Sequence, residues 1–210
     1  MFTGLTGIEL VFFFLSLLIA MIVHEVMHGV VAYYLGDKTA AEMGRLTLNP
    51  FKHIDVATTL LLPLVLVLFG LPPIFAAKPV PFNPQNVNYD EYGVAMVGLA
   101  GPLSNFLLGA VGSVLIHLLA ATINAELLNF LLIFVEVNVA LMVFNMIPFP
   151  PLDGSRVLYA FAPESVRRVM ERIEAMGFMV ILLFIFVFFQ FIAQLIGYVD
   201  NTILKFLLSI

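Results

Sequence analysis

The sequence predicts an all-α polytopic membrane protein. The reading is of about four spanning helices, a short re-entrant apolar segment and an extended Pro-rich loop. Three observations predict this class. Of the 210 residues, 62% are hydrophobic and 11% are charged, where a soluble domain carries about 25% charged residues. The mean hydropathy is +1.08. Apolar runs near or above the ~20 residues that cross a bilayer recur along the chain, separated by polar turns. The length suits a single membrane domain, 1–210.

Charge and cysteine usage exclude several classes. A net charge of −5 without a basic cluster argues against nucleic acid as a partner. With no cysteine, disulfides and thiolate metal sites are ruled out. The first residues carry no basic region, so they do not read as a cleaved signal peptide.

The first helix is expected over 8–35, stopped by Gly36-Asp37. In its second half stands His24-Glu25-Val26-Met27-His28. At about 100° per residue, His24 and His28 lie on one helix face with Glu25 beside them. Two neutral imidazoles at this spacing can hold a zinc ion, and the carboxylate can take a proton from water that the metal polarises. The alternative is a packed polar knot between helices, but ionisable groups at this depth usually mark function.

From Lys38 the chain turns polar, and Lys38, Arg45 and Lys52 make 38–55 a cytoplasmic candidate. His53 and Asp55 stand there as extra ligands, as groups orienting a ligand, or as plain loop residues. The apolar segment 56–72 is short and carries Pro63. Beyond it, the prolines of Ala77-Lys-Pro-Val-Pro-Phe-Asn-Pro84 forbid helix and favour extended backbone. That stretch is either a stiff connector or an edge on which an unwound peptide can pair.

Residues 92–125 contain no Asp, Glu, Lys or Arg and hold a long spanning helix. Within it, Ala100-Gly-Pro-Leu-Ser-Asn105 marks a kink or a close helix approach, and Asn105 brings an amide to that point. His117 reads as an interhelical hydrogen-bonder, with Glu136 as a conjectured partner. The next span, 126–147, is interrupted by Glu136 and Asn138. It ends at Asn145-Met-Ile-Pro-Phe-Pro-Pro-Leu-Asp-Gly154, where the prolines break the helix. Asp153 is placed either to cap the following turn or to bind a metal. A zinc site needs a third ligand, and no other carboxylate sits at a comparable break, so Asp153 is the expected one. Residues 163–174 read as an amphipathic surface helix. Residues 176–199 span again, with a break expected at Asp200-Asn201.

H-E-x-x-H on an early helix, A-G-P-L-S-N in a middle one and N-x-x-P-x-P-P-L-D-G after a later one resemble the site-2 protease family of intramembrane zinc metalloproteases. The loop Gly44-Arg-Leu-Thr-Leu-Asn-Pro50 and Lys78-Pro-Val-Pro81 are similar to its compact prokaryotic branch, which lacks a PDZ domain. The resemblance implies one zinc per chain on His24, His28 and Asp153, with Glu25 as general base. It also implies that Asn105 holds substrate or the oxyanion, and that the substrate is a transmembrane protein.

Topology follows from the same residues. Both His28 and Asp153 must reach one ion, so their helix ends share a side, which makes 56–72 re-entrant. Eight of the nine basic residues then fall on that side: Lys38, Arg45, Lys52, Lys78 and the four arginines from 156 to 172. The positive-inside rule makes it cytoplasmic, in a prokaryotic cell membrane. A catalytically silent membrane binding protein is the rival reading. A metal transporter fits less well, because the ionisable residues cluster at one end instead of lining a path.

Overall fold

The computed structural model describes residues 6–54 and 78–209. The expected re-entrant segment 56–72 and Asp55 lie outside them. Among the described residues the chain is all helical, with no strand.

Helix α1 (Gly7–Tyr34) starts at a capping box. The Thr6 N–H donates to Glu9 Oε2 at 2.7 Å, and the Glu9 N–H returns to Thr6 Oγ1 at 3.4 Å. The two bonds use backbone N–H groups that a helix start leaves without intrahelical partners. Gly36, at φ 109°, turns the chain out of the helix. A single helical turn, α2 (Thr39–Glu42), and a 3₁₀ turn at Pro50–Lys52 follow. A second 3₁₀ turn at Pro84–Asn86 leads into α3 (Asp90–Leu119). Here Asn88 N–H donates to Leu35 O at 2.7 Å, tying the start of α3 to the end of α1.

Asn124 caps α4 (Ala125–Asn145), accepting from Leu127 N–H at 2.8 Å. Beyond the proline-rich break come α5 (Gly154–Phe161), α6 (Glu164–Ala175) and α7 (Phe178–Leu208). Helix α7 runs through the break expected at Asp200-Asn201. The polar side chains turn back on the helix: Asn201 Nδ2 donates to Gly197 O and Thr202 Oγ1 to Tyr198 O. Such residues carry only a modest helix penalty, and an apolar helix on both sides outweighs it. The α7 backbone departs from helical geometry at Phe188.

Three of these helices, α1, α3 and α4, are long and apolar enough to cross a membrane. They pack against one another, and α5 lies on α3. Leu17 and Ala20 of α1 meet Val137 of α4. Ile116 of α3 packs with Leu131, Val135, Val139 and Val143 of α4 and Leu207 of α7. Around the end shared by α1 and α3, Ala32, Val87 and Val97 form a third buried group. The polar loops and α5 are gathered at that end, and the histidines of α1 lie about two to three turns inside it.

Among the described residues, the hydrogen bond His117 makes lies within its own helix. Its Nδ1 donates to Ser113 O, one turn back on α3.

Candidate metal centre

His24 and His28 are buried on adjacent turns of α1, facing α3. Their approach depends on a missing side chain. A Cβ on Gly101 of α3 would stand 2.5 Å from the Nε2 atoms of both rings. The glycine of the A-G-P stretch therefore permits close helix contact, one of the two roles its sequence suggests. Ser104 Oγ donates to Gly101 O at 2.7 Å, occupying a carbonyl beside Pro102.

Asp153 precedes α5, but its side chain makes no capping hydrogen bond. It turns instead towards the histidines: Oδ2 lies 2.9 Å from His24 Nε2 and 3.3 Å from His28 Nε2. The two Nε2 atoms are 3.0 Å apart. The turn at Asp153 needs Gly154, because a Cβ there would collide with the Met146 carbonyl. The prolines and this glycine bring a carboxylate from the end of α4 back over the α1 histidines.

The proton inventory explains what such a cluster is suited to hold. His28 Nδ1 lies 2.7 Å from Val97 O, a group that only accepts, so Nδ1 carries the hydrogen. His24 Nδ1 lies 2.6 Å from Asn105 Oδ1. The Asn105 amide is oriented by Ala20 O and Asn138 Oδ1, which take its two N–H groups at 3.2 and 3.1 Å. Asn105 Oδ1 is therefore the acceptor, and His24 also carries its hydrogen on Nδ1. In the neutral rings both Nε2 lone pairs point at Asp153 Oδ2 with no proton between them. Asp153 Oδ2 is buried without a hydrogen-bond donor. Three bare lone pairs about 3 Å apart repel one another unless a cation sits among them. Ligands at the ~2.0–2.2 Å bond lengths of tetrahedral zinc stand at about this mutual separation. The residues fit a zinc ion.

Glu25 faces the polar loop. Its Oε2 accepts the Val80 N–H at 2.8 Å. Val80 belongs to the Pro-rich stretch, which is held along its length. Lys78 N–H donates to His53 O at 2.8 Å, and Arg45 Nη2 donates to Lys78 O and Pro79 O at 2.9 and 3.2 Å. Further along, Asn83 N–H donates to Asp37 Oδ2 at 2.7 Å, and Asn86 Nδ2 donates to Asp37 Oδ1. The backbone groups at Lys78 N, Lys78 O, Pro79 O and Val80 N are thus engaged within the chain.

The remaining sequence candidates separate. His53 is buried and lies 2.7 Å from Thr47 O through Nε2. The group able to hold a metal among the described residues consists of His24, His28 and Asp153. Asn105 reaches the site, but through His24, and both its N–H groups are already used. Sequence reasoning missed the Val97 carbonyl, the Val80 N–H and the Asn138 amide. The first two are backbone groups with no side-chain signal. Asn138 was visible as a polar residue in an apolar span.

Comparison with known proteins gives this geometry a context. Over 175 residues the chain is 36% identical to a Bacillus subtilis (strain 168) protein described as "Putative zinc metalloprotease YwhC", covering 80% of this chain and 77% of that one. The chain belongs to the site-2 protease family, peptidase family M50. The family model matches residues 111–188. Two mycobacterial proteins, both described as "Putative zinc metalloprotease Rip2", are more distant. The one from Mycolicibacterium smegmatis is 24% identical over 169 residues, covering 78% of this chain and 62% of its own. The one from Mycobacterium tuberculosis is 27% identical over 175 residues, covering 82% and 64%. This M50 chain therefore spans less than two thirds of either mycobacterial relative. No solved structure matches it. Zinc is the metal the family name implies, and the donor set above suits it.

Proposed function

We propose that this M50 chain is a zinc-dependent intramembrane endopeptidase. It hydrolyses peptide bonds in or near transmembrane segments of membrane proteins. The observation that carries the reading is the convergence of His24 Nε2, His28 Nε2 and Asp153 Oδ2, all within 3.3 Å, between helices apolar enough to cross a bilayer. These three residues hold one zinc ion per chain. Bound there, zinc supplies Lewis acidity and lowers the pKa of a water molecule towards ~7.

The chain's own groups supply the rest. Val97 O and Asn105 hold the two imidazoles in the tautomer that leaves Nε2 free. Glu25 takes the proton of the attacking water and later delivers one to the leaving amine. The Val80 N–H fixes its carboxylate while leaving the second oxygen for that transfer. Apolar helices exclude bulk water, and the polar loops at residues 36–54 and 78–89 admit it from one end. The cytoplasmic side is that end, because eight of the nine basic residues gather there. Helix α7 serves as the fourth span.

A substrate helix shields its carbonyls in its own hydrogen bonds, so it must unwind to react. Segments of low helix propensity are accordingly preferred. The rival, a silent binding protein that kept the fold, has no use for a carboxylate held at Glu25 beside three metal-binding groups.

Zinc per chain, measured on purified wild type beside Asp153→Ala, tests the site without a substrate. About one zinc in the wild type, lost or weakened in the variant, is the expected result. Equal zinc in both refutes Asp153 as a ligand. No zinc in either, after metal-replete purification, favours the silent rival.

A further inference from the structure

Asn138 interrupts the apolar run of α4 and is fully buried. The zinc site does not touch it. Its Nδ2 donates to Phe134 O, one turn back on α4, at 2.8 Å. A carbonyl can only accept, so this bond fixes which end of the Asn138 amide is which, and Oδ1 points towards α3. There Oδ1 takes an N–H of Asn105, itself fully buried. The other Asn105 N–H goes to Ala20 O, one turn before His24 on α1. Asn105 Oδ1 then faces His24 Nδ1. The bonds run in one direction across three helices: Phe134 O accepts from Asn138, Asn138 from Asn105, and Asn105 from His24.

We infer that Asn138 is a positioning residue for the metal centre, acting through Asn105 to hold His24 in its Nδ1–H tautomer and ring orientation. The inference rests on His24 being a zinc ligand, as proposed above. Without Asn138 one buried N–H of Asn105 loses its acceptor, and the amide gains a reason to turn away from Ala20 and His24. A turned amide would present N–H to His24 Nδ1, favouring the tautomer whose hydrogen lies on Nε2, where the metal belongs. A polar residue in an apolar span is costly to keep, and this network gives it a use.

The test uses the full chain in detergent, as wild type, Asn138→Leu and Asn138→Asp. Leu removes the relay at similar volume. Asp, kept neutral by burial, still donates to Phe134 O and accepts from Asn105. Two readouts are taken: zinc affinity by competition with a chromophoric chelator, and the His24 tautomer from ¹⁵N chemical shifts of histidine-labelled, metal-free protein. Removing an outer partner of a metal-ligating histidine typically weakens binding about 10–100-fold. For Asn138→Leu the expected result is the lower end, about tenfold, with a shifted His24 tautomer signature, while Asp retains wild-type values in both. Unchanged affinity and signature in the Leu variant overturn the inference. Equal losses in Leu and Asp do so too, since they report packing alone. If the Leu variant does not fold, the Asp variant decides: a wild-type signature supports the relay and a lost one rejects it. If the wild type binds no zinc, the ligand reading fails separately, and the metal-free tautomer signature still decides whether Asn138 orients His24.

Discussion

A methyl group on Gly101 would stand 2.5 Å from Nε2 of His28. The histidine face of α1 and the backbone of α3 are therefore in direct contact, an approach that the absence of one side chain permits.

That relationship gives an outcome of unusual sign. In an unconstrained helix interior, glycine to alanine stabilises by about 1 kcal/mol. Here Gly101→Ala is expected to destabilise by about 1–3 kcal/mol through overpacking, and to lose zinc. Thermal unfolding and metal content of the variant, beside wild type, check both. A more stable variant with full zinc would show that α3 does not press on the histidines.

For Glu25, replacement by Gln keeps the shape and the bond from Val80 N–H but removes the base. Cleavage of a transmembrane substrate is expected to fall by about 10²–10⁴-fold, with zinc content unchanged. Retained cleavage would take Glu25 out of the mechanism.

Arg45 tests whether the Pro-rich stretch positions that carboxylate. One guanidinium nitrogen holds both Lys78 O and Pro79 O, and the next residue donates to Glu25. Arg45→Ala is expected to open 78–82 to limited proteolysis and to lower turnover about tenfold or more, with zinc still bound. Arg45→Lys should recover only part, since an ammonium can also donate to both carbonyls but ends one bond short of the position of Arg45 Nη2. An unchanged digestion pattern would mean that the loop is held by other contacts.

Asp37 makes this loop sensitive to acid. Burial pushes its carboxyl up, but hydrogen bonds from Thr39, Asn83 and Asn86 outweigh that and hold it below its ordinary value. A carboxylate lowered in the folded state contributes stability that is present above its unfolded value, about 3.9. That contribution is lost as pH falls through the lower folded value. Loop protection against proteolysis should therefore decline below about pH 4 in wild type. In Asp37→Asn the decline should be smaller, from a less protected start, because the amide turns an N–H towards donors. Identical acid profiles would remove Asp37 from the account.

Periodicity and composition made the long helices legible, because a bilayer imposes the same demand on every span: about 20 apolar residues with internal hydrogen bonding. Their ends were less so. The Thr6–Glu9 capping box went unread, and Asp200-Asn201 reads as a break although the helix continues through it.

The candidate site divides along the same line. The sequence by itself determined the residue types: two histidines and a carboxylate one helical turn apart, and an aspartate beyond a proline break. Those follow from local geometry, which spacing reports directly. Only the tertiary structure decided how they are held. Asn105 touches His24, Val97 O fixes His28, Val80 N–H occupies Glu25, and Asn138 reaches the site through Asn105 alone. Each of these contacts joins segments far apart in the chain, and two of them use backbone atoms that every residue carries. A backbone N–H or carbonyl leaves no mark in the sequence, so its partner emerges only once the helices pack.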